Sequence, residues 1–434
     1  MENVNRKLVN MYDLITCLTK ASDLVSPELA GHHQQVAYLA FKIGEELNLP
    51  KNQQKNLMLA GLLHDVGALS FNERLALIED EPPNAQDHAF KGARLIEGVQ
   101  PLSELASIIR YHHVPWNNGE GNVFMGQQVP LLSHILHLAD RVTVSIDRNY
   151  EVLGQAKNIV NKILGKKNTI FMPEVVDAYI NLSVKESIWL DIVNKSLLSI
   201  MPNIMVFDTM DLDTDEVINL TKIFAGIIDF RSPFTANHTA GVAKTAEKLA
   251  EIAGFSETEC KMMLVAGYLH DLGKLAVRND VLEKPSKLDV EEFNIIRSHT
   301  YYTYRLLQPI KEFETINSWA SYHHEKLNGK GYPFHLDDKN LSLGSRIMAV
   351  ADIFTAITED RPYRKGMPDE QTFNILNSMV KDRSICPYVV SILMDNFDLI
   401  YEIRKEAQHE ASIEYNYFMN YNYNEAISDN LLRR

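Results

Sequence analysis

Histidine and aspartate, set where donor atoms fall side by side, are the residues of this chain that could do chemistry. From Ala266 to Tyr363 the sequence runs through AGYLHDLGKL, His299, YHHEKLNGKGYP and AVADIFTAITEDRPYR. Paired His270 and Asp271, lone His299, paired His323 and His324, and Asp352 supply nitrogen and oxygen donors from four segments, and His238 stands upstream. One divalent ion takes about four to six donors, so this inventory is too rich for one ion and suggests two sharing a carboxylate. Two ions roughly 3.5–4 Å apart can activate a bound water and clamp the attacking and leaving oxygens of an in-line displacement at phosphorus. The pattern points to phosphoester hydrolysis.

The pattern is written twice. Ser232, Pro233, His238, Val242, His270 and Asp271 each follow an identical residue by 206 positions: Ser26, Pro27, His32, Val36, His64 and Asp65. Further on, His299, His323 and His324 follow His88, His112 and His113 by 211, and Asp352 follows Asp140 by 212. Ten of the fifteen histidines fall at these paired positions, which core packing alone does not explain. The other five, His33, His134, His137, His335 and His409, read as hydrogen-bonded core or surface residues. The chain contains one fold twice.

Helices must position these donors. Apolar Leu8, Met11, Leu14, Ile15 and Leu18 predict a leading helix within Val4–Val25, and Val36, Ala40, Ile43 and Leu47 form one helical stripe. Strand alternation is scarce, so the fold class is all-α. Helical patterns between Glu151 and Asp215 read as a linker, with turns at Pro173 and Pro202, and DTMDLDTDEV as an acidic loop leading into the next helix.

HDLGK at 270–274 and HHEKLNGKGYP at 323–333, with SPFTANH at 232–238 and RPYR at 361–364, resemble the HD-GYP phosphodiesterases of bacterial cyclic dinucleotides. The resemblance covers about His238 to Arg364. It implies two tandem HD-type helical bundles joined by a helical linker: an N-terminal HD domain without the GYP motif (1–150), the linker (151–215), a catalytic HD-GYP domain (216–405) and a C-terminal tail (406–434). It also implies a substrate, cyclic di-GMP or 3'3'-cyclic GMP-AMP, opened to a linear dinucleotide and further to mononucleotides.

By that resemblance one ion is bound by His238, His270, Asp271 and Asp352, the other by Asp271, His299, His323 and His324. His270 and Asp271, about 100° apart around a helix, would let the Asp271 carboxylate bridge. The family motif places a lysine at Lys274, four residues after His270 and on its face if the helix survives Gly273; its ammonium would touch phosphate or protonate the leaving oxygen. Asp271 and Lys274 are therefore the expected catalytic residues. Gly331 and Tyr332 lie in a substrate-side or partner-docking loop, and Arg361 and Arg364 can grip phosphate bidentately. Mixed imidazole and carboxylate ligation suits several metals; the resemblance points first to iron or manganese. Members with a third metal use a glutamate four residues before the first histidine, where this half has Phe234, so two ions are expected.

The first half keeps every ligand type, His32, His64, Asp65, His88, His112, His113 and Asp140, and adds Glu28, so further metal is expected there. It departs in having Ala68 for the lysine, HHVPWNNGEG without Tyr-Pro, and no RPYR. A regulatory or oxygen-sensing site, an independent phosphohydrolase and a retained packing partner are its three readings. For the whole chain the alternative is a signalling module that senses a ligand or oxygen and recruits a partner at the GYP loop without turnover. A homodimer is compatible with the sequence.

Composition sets the outer bounds. At 434 residues and 45% hydrophobic content there is material for two or three domains. A net charge of −14 argues against duplex nucleic acid as a partner, while Lys274, Lys326, Lys330, Arg361, Arg364 and Lys365 offer local charge for a small anion. Cys17, Cys260 and Cys386 lack metal or disulfide spacing. No signal-peptide core and no apolar run of about 18 residues occurs, so no membrane partner and a cytoplasmic location are expected. The Tyr/Asn-rich tail reads as a frayed terminus.

Overall fold

Helix start signals in the sequence are obeyed in space. The computed structural model describes residues 9–24, 30–68, 73, 76–77, 85–100, 102–194, 197, 211–230, 237–282, 284, 286–360 and 365–420. Contacts divide the chain into two units, Met1–Cys17 with Asp211–Met419, and Leu18–Met210 with Asn420–Arg434.

The second unit in chain order begins with a capping box. Asp213 accepts from the Glu216 backbone while the Glu216 carboxylate accepts from the Asp213 N–H, so the helix Thr214–Asp229 starts where the acidic loop predicts. Ser256 and Glu259 do the same for the helix Glu257–Leu269, and Asp289 and Glu292 for Val290–Arg297. The helix His238–Ile252 packs against Glu257–Leu269 and against Leu343–Thr358, the latter with Ile347, Val350, Ala351 and Phe354 fully buried. Gly267 makes the closest of these approaches: a Cβ there would lie 2.4 Å from Ala243 Cα. Helices His299–Leu307 and Glu314–Ser321 close the bundle, and the long helix Phe397–Asn420 ends the described chain. Val9–Asn10 pairs antiparallel with Asp211–Leu212, so the leading helix starts at Met11, after a strand, and runs to Asp23.

In the first unit, His32–Glu46 packs on Lys51–Leu63 and Leu131–Val144. The predicted stripe is its core face: Val36, Ala40 and Ile43 have no exposed surface, each large side chain contributing roughly 1.5–3 kcal/mol by burial. Gly61 repeats the close crossing of its partner Gly267, 2.5 Å from Ala37 Cα for an added Cβ. The segment read as a linker supplies Val152–Leu164, Pro173–Ser183 and Glu186–Ile192, of which the last two pack on His32–Glu46. Val175, Val176, Tyr179 and Trp189 are buried, and Tyr38 donates to Asp191 at 2.6 Å, so this stretch completes the first bundle. Strand content among the described residues is limited to two pairs of two-residue strands. No described helix is long and apolar enough to cross a membrane.

Candidate metal centres

In the second unit five elements deliver one cluster. His238 opens its helix, His270 caps the end of Glu257–Leu269, His299 opens the helix His299–Leu307, His323 and His324 follow Glu314–Ser321, and Asp352 lies within Leu343–Thr358. All are buried except His324, whose side chain keeps 32% of its surface.

Tautomer follows from the backbone. His270, His299 and His323 each present Nδ1 to the carbonyl three residues back, at 2.7, 2.6 and 2.6 Å. A carbonyl only accepts, so Nδ1 carries the proton and Nε2 is left as an inward lone pair. His270 Nε2 is buried without a hydrogen-bond partner, and His299 and His323 face each other Nε2 to Nε2 at 3.3 Å, an arrangement that a cation between the rings would satisfy. The Asp271 carboxylate sits between: Oδ2 is 3.2 Å from His270 Nε2 and Oδ1 is 3.3 Å from His299 Nε2. His238 Nε2 lies 3.1 Å from Asp352 Oδ1. The groups His238, His270, Asp352 and His299, His323, His324 each bring their donor atoms within 4.8 Å of one another. This donor set of imidazole nitrogens and carboxylate oxygens fits divalent metal, with Asp271 reaching His270 of one group and His299 of the other.

Electrostatics agree with that demand. Burial would pull the His238 ring down, but Glu359 and Asp352 push it up to about 10, whereas burial holds His299 down to about 3. Burial opposes the Asp271 charge, yet His270 and Lys274 keep the carboxylate ionised far below the usual range.

Lys274 reaches the site by a different route from the expected one. The helix stops at Leu269 and a 3-10 turn spans Leu272–Ala276, in which side chains three apart eclipse. Lys274 Nζ therefore stands over Asp271 Oδ2, at 2.5 Å, rather than sharing a helical face with His270. The turn is stitched to the His299 helix: Thr303 Oγ1 accepts from Gly273 N at 2.9 Å and donates to His270 O at 3.1 Å.

The GYP loop lies at the open side. Tyr332 packs 5.0 Å from the His324 ring, with the Arg297 guanidinium 5.4 Å from its own. Buried Glu325 pins the loop by accepting from Phe334 N at 2.6 Å and Leu336 N at 3.0 Å, and Gly331 is buried against Glu325 and Lys326. Arg361, Arg364 and Glu28 lie outside the described residues.

The first unit repeats the cluster. His64 and His112 present Nδ1 to carbonyls three residues back, at 2.9 and 2.6 Å, and their Nε2 atoms, with that of His88, are buried without a hydrogen-bond partner. Asp65 Oδ2 is 3.2 Å from His64 and Oδ1 is 3.1 Å from His88, and His32 is 3.2 Å from Asp140. The groups His32, His64, Asp140 and His88, His112, His113 match those of the second unit. Three features set it apart. His113 is buried where His324 is open, and Arg141 takes the second Asp140 oxygen at 2.7 Å. The loop after His113 is also tied down, with Trp116, Asn117 and Asn118 donating backbone N–H groups to Ile170, Thr169 and Asn168.

Four residues at the second site are not among the expected site residues. Glu359 accepts from His238 Nδ1 at 3.1 Å and from Gln408 at 3.0 Å. Asp229, pushed up to about 7 by burial, accepts from Thr239 at 2.8 Å. Arg297 and Glu325 complete the set. Three carried a signal: Asp23 stands 206 residues before Asp229, Asp147 stands 212 before Glu359, and Glu325 lies within HHEKLNGKGYP.

A helical bundle that gathers a His, a His-Asp pair, three further histidines and a distant Asp is an HD-type metal-binding domain, and here there are two. The HD domain family matches residues 222–385 and again 29–145. A 3'3'-cGAMP-specific phosphodiesterase of Vibrio cholerae is 29% identical over 93% of this chain and 96% of its own length. A cyclic di-GMP phosphodiesterase of Pseudomonas aeruginosa is 37% identical over 31% of this chain and 32% of its own. The crystal structure of a cyclic GMP-AMP specific phosphodiesterase of V. cholerae covers 90% of this chain and 98% of that one, with a TM-score of 0.65 at 23% identity, and shares the fold. The chain belongs to the HD-domain proteins, with two HD domains, the second of the HD-GYP type.

Proposed function

We propose that the chain is a metal-dependent phosphodiesterase that hydrolyses a cyclic dinucleotide to a linear one at its second HD domain. The observation that carries the reading is the set of backbone-fixed imidazole lone pairs around Asp271, open to solvent only at His324 and bordered by Lys274. Bound divalent ions supply Lewis acidity and a nucleophile at neutral pH. His238, His270, Asp271 and Asp352 would hold one ion and Asp271, His299, His323 and His324 the other, with iron or manganese suited to the donors.

The remaining work falls to side chains. Burial would lower the Lys274 ammonium, but Asp271 raises it above its ordinary value, so it stays charged and acts on a phosphate oxygen as an electrostatic clamp. Arg297, at the rim, offers a guanidinium for the second phosphate. Tyr332 walls the entrance and orients His324. The base pair preferred is the guanine and adenine of 3'3'-cyclic GMP-AMP, a reading supported by a relative matched over nearly the whole chain, where the cyclic di-GMP enzyme cited matches under a third.

The first HD domain holds metal in a regulatory or sensing role. Its buried His113, Ala68 in place of lysine and tied-down loop support this role over dinucleotide turnover. Chromatography of the products formed by metal-loaded protein from equimolar 3'3'-cyclic GMP-AMP and cyclic di-GMP tests the assignment. Faster linear product from the hybrid is expected; no linear product with iron or manganese overturns it. Turnover that is insensitive to oxygen and unchanged by His64→Ala would dispose of the sensing role.

A further inference from the structure

His33 enters the first cluster from the same helix as His32. It is buried, and its Nδ1 lies 2.7 Å from Asp23 Oδ1. Asp23 is itself fixed, its other oxygen accepting from Gly31 N at 3.0 Å and from Gln34 at 3.3 Å. A carboxylate accepts the Nδ1 proton and leaves Nε2 as a lone pair, the arrangement that orients histidine ligands at metal sites. The donor atoms of His33, His64 and Asp65 lie within 4.8 Å of one another, and the His33 and His64 rings are 5.4 Å apart. His64 Nε2 is buried with no hydrogen-bond partner.

The second domain is built differently at this spot. Positions 206 later, the carboxylate persists as Asp229 but the ring is replaced by Thr239, whose hydroxyl donates to it at 2.8 Å. There Lys274 extends its ammonium to Asp271 and interacts with Asp229. In the first domain the lysine position is Ala68, fully buried and without a charge to offer. The two exchanges are complementary: between the same two carboxylates, one domain places a fixed cation and the other an uncharged donor. A protonated lysine cannot ligate a metal; an imidazole lone pair can.

We propose that His33 is a metal ligand of the first domain, adding through Nε2 an imidazole to an ion held by His64 and Asp65, with Asp23 as the carboxylate that aims it. This rests on the reading that the first domain binds metal. It makes the first site more fully coordinated on the side where the second site meets substrate.

The test uses the full chain carrying His270→Ala and Asp271→Asn, so that binding reports the first domain. Chelator-treated protein is titrated with Mn2+, free ion being followed by its EPR signal, and the bound state is examined by X-ray absorption for imidazole scatterers. His33→Gln is expected to weaken binding at least about 10-fold and to lower the imidazole count, and Asp23→Asn to weaken it about 10-fold through lost aim. The pair His33→Thr with Ala68→Lys installs residues that the second domain packs in the same places, and carries the same expectation should His33→Gln fail to fold. Wild-type affinity and imidazole count in these variants overturn the role of His33 alone; absence of Mn2+ binding with His33 intact overturns the metal-binding reading as well.

Discussion

At the scale of single residues, function depends on which nitrogen of each imidazole carries its proton. Backbone carbonyls take Nδ1 of His270, His299 and His323, so Nε2 of His270 and His299 turns to Asp271 and Nε2 of His323 to His299. Lys274→Ala should leave metal content unchanged while lowering kcat about 10²- to 10³-fold, the usual loss on removing one electrostatic donor; metal analysis beside steady-state kinetics checks both halves of the statement. Glu359→Gln, which loosens the carboxylate behind His238, should weaken metal binding about 10-fold, read by chelator competition. Residue identities were largely legible beforehand because a His-Asp pair and a His-His pair recurring at fixed offsets leave little freedom. Glu359 was not: it lies seven residues past Asp352, as Asp147 lies seven past Asp140, but it matters only because a helix end folds back onto His238. Nor was His33, whose role depends on Ala68, 35 residues away.

Elements decide whether those donors meet. The HD turn is pressed so tightly against the next helix that a Cβ on Gly273 would lie 1.9 Å from His299 O, and on Gly67, its counterpart, 2.2 Å from His88 O. Gly273→Ala should therefore move the His270 turn away from His299, abolish metal binding in the second domain and destabilise it by about 1–3 kcal/mol or more, as measured by metal content and urea unfolding. Apolar stripes and the acidic loop before Thr214 announced helices from local chemistry alone. Local chemistry did not announce the break at Leu269, because what ends that helix is the approach of a neighbour. Helices beyond Glu151 carried an ordinary amphipathic pattern, and nothing local distinguishes a connector from helices that close a bundle.

For the molecule as a whole, two clusters of the same plan differ in access. Among the described residues the first domain buries all the histidines of its cluster, and also His134, which burial holds down to about 4. A ring whose folded pKa lies below its ordinary 6.5 contributes stability that is complete above pH 6.5 and is lost as pH falls toward 4. The loss amounts to about 3 kcal/mol at most. His134→Leu should remove that part of the acid lability between pH 6.5 and 4, followed by urea unfolding with the fluorescence of Trp116 and Trp189. Access also underlies the separate roles proposed for the two domains, and paired substitutions test them directly: hydrolysis of 3'3'-cyclic GMP-AMP by metal-loaded Asp271→Asn and Asp65→Asn proteins, side by side with the wild type. Loss of linear product in Asp271→Asn with turnover persisting in Asp65→Asn is the predicted result; an Asp271→Asn protein that hydrolyses at the wild-type rate would contradict it.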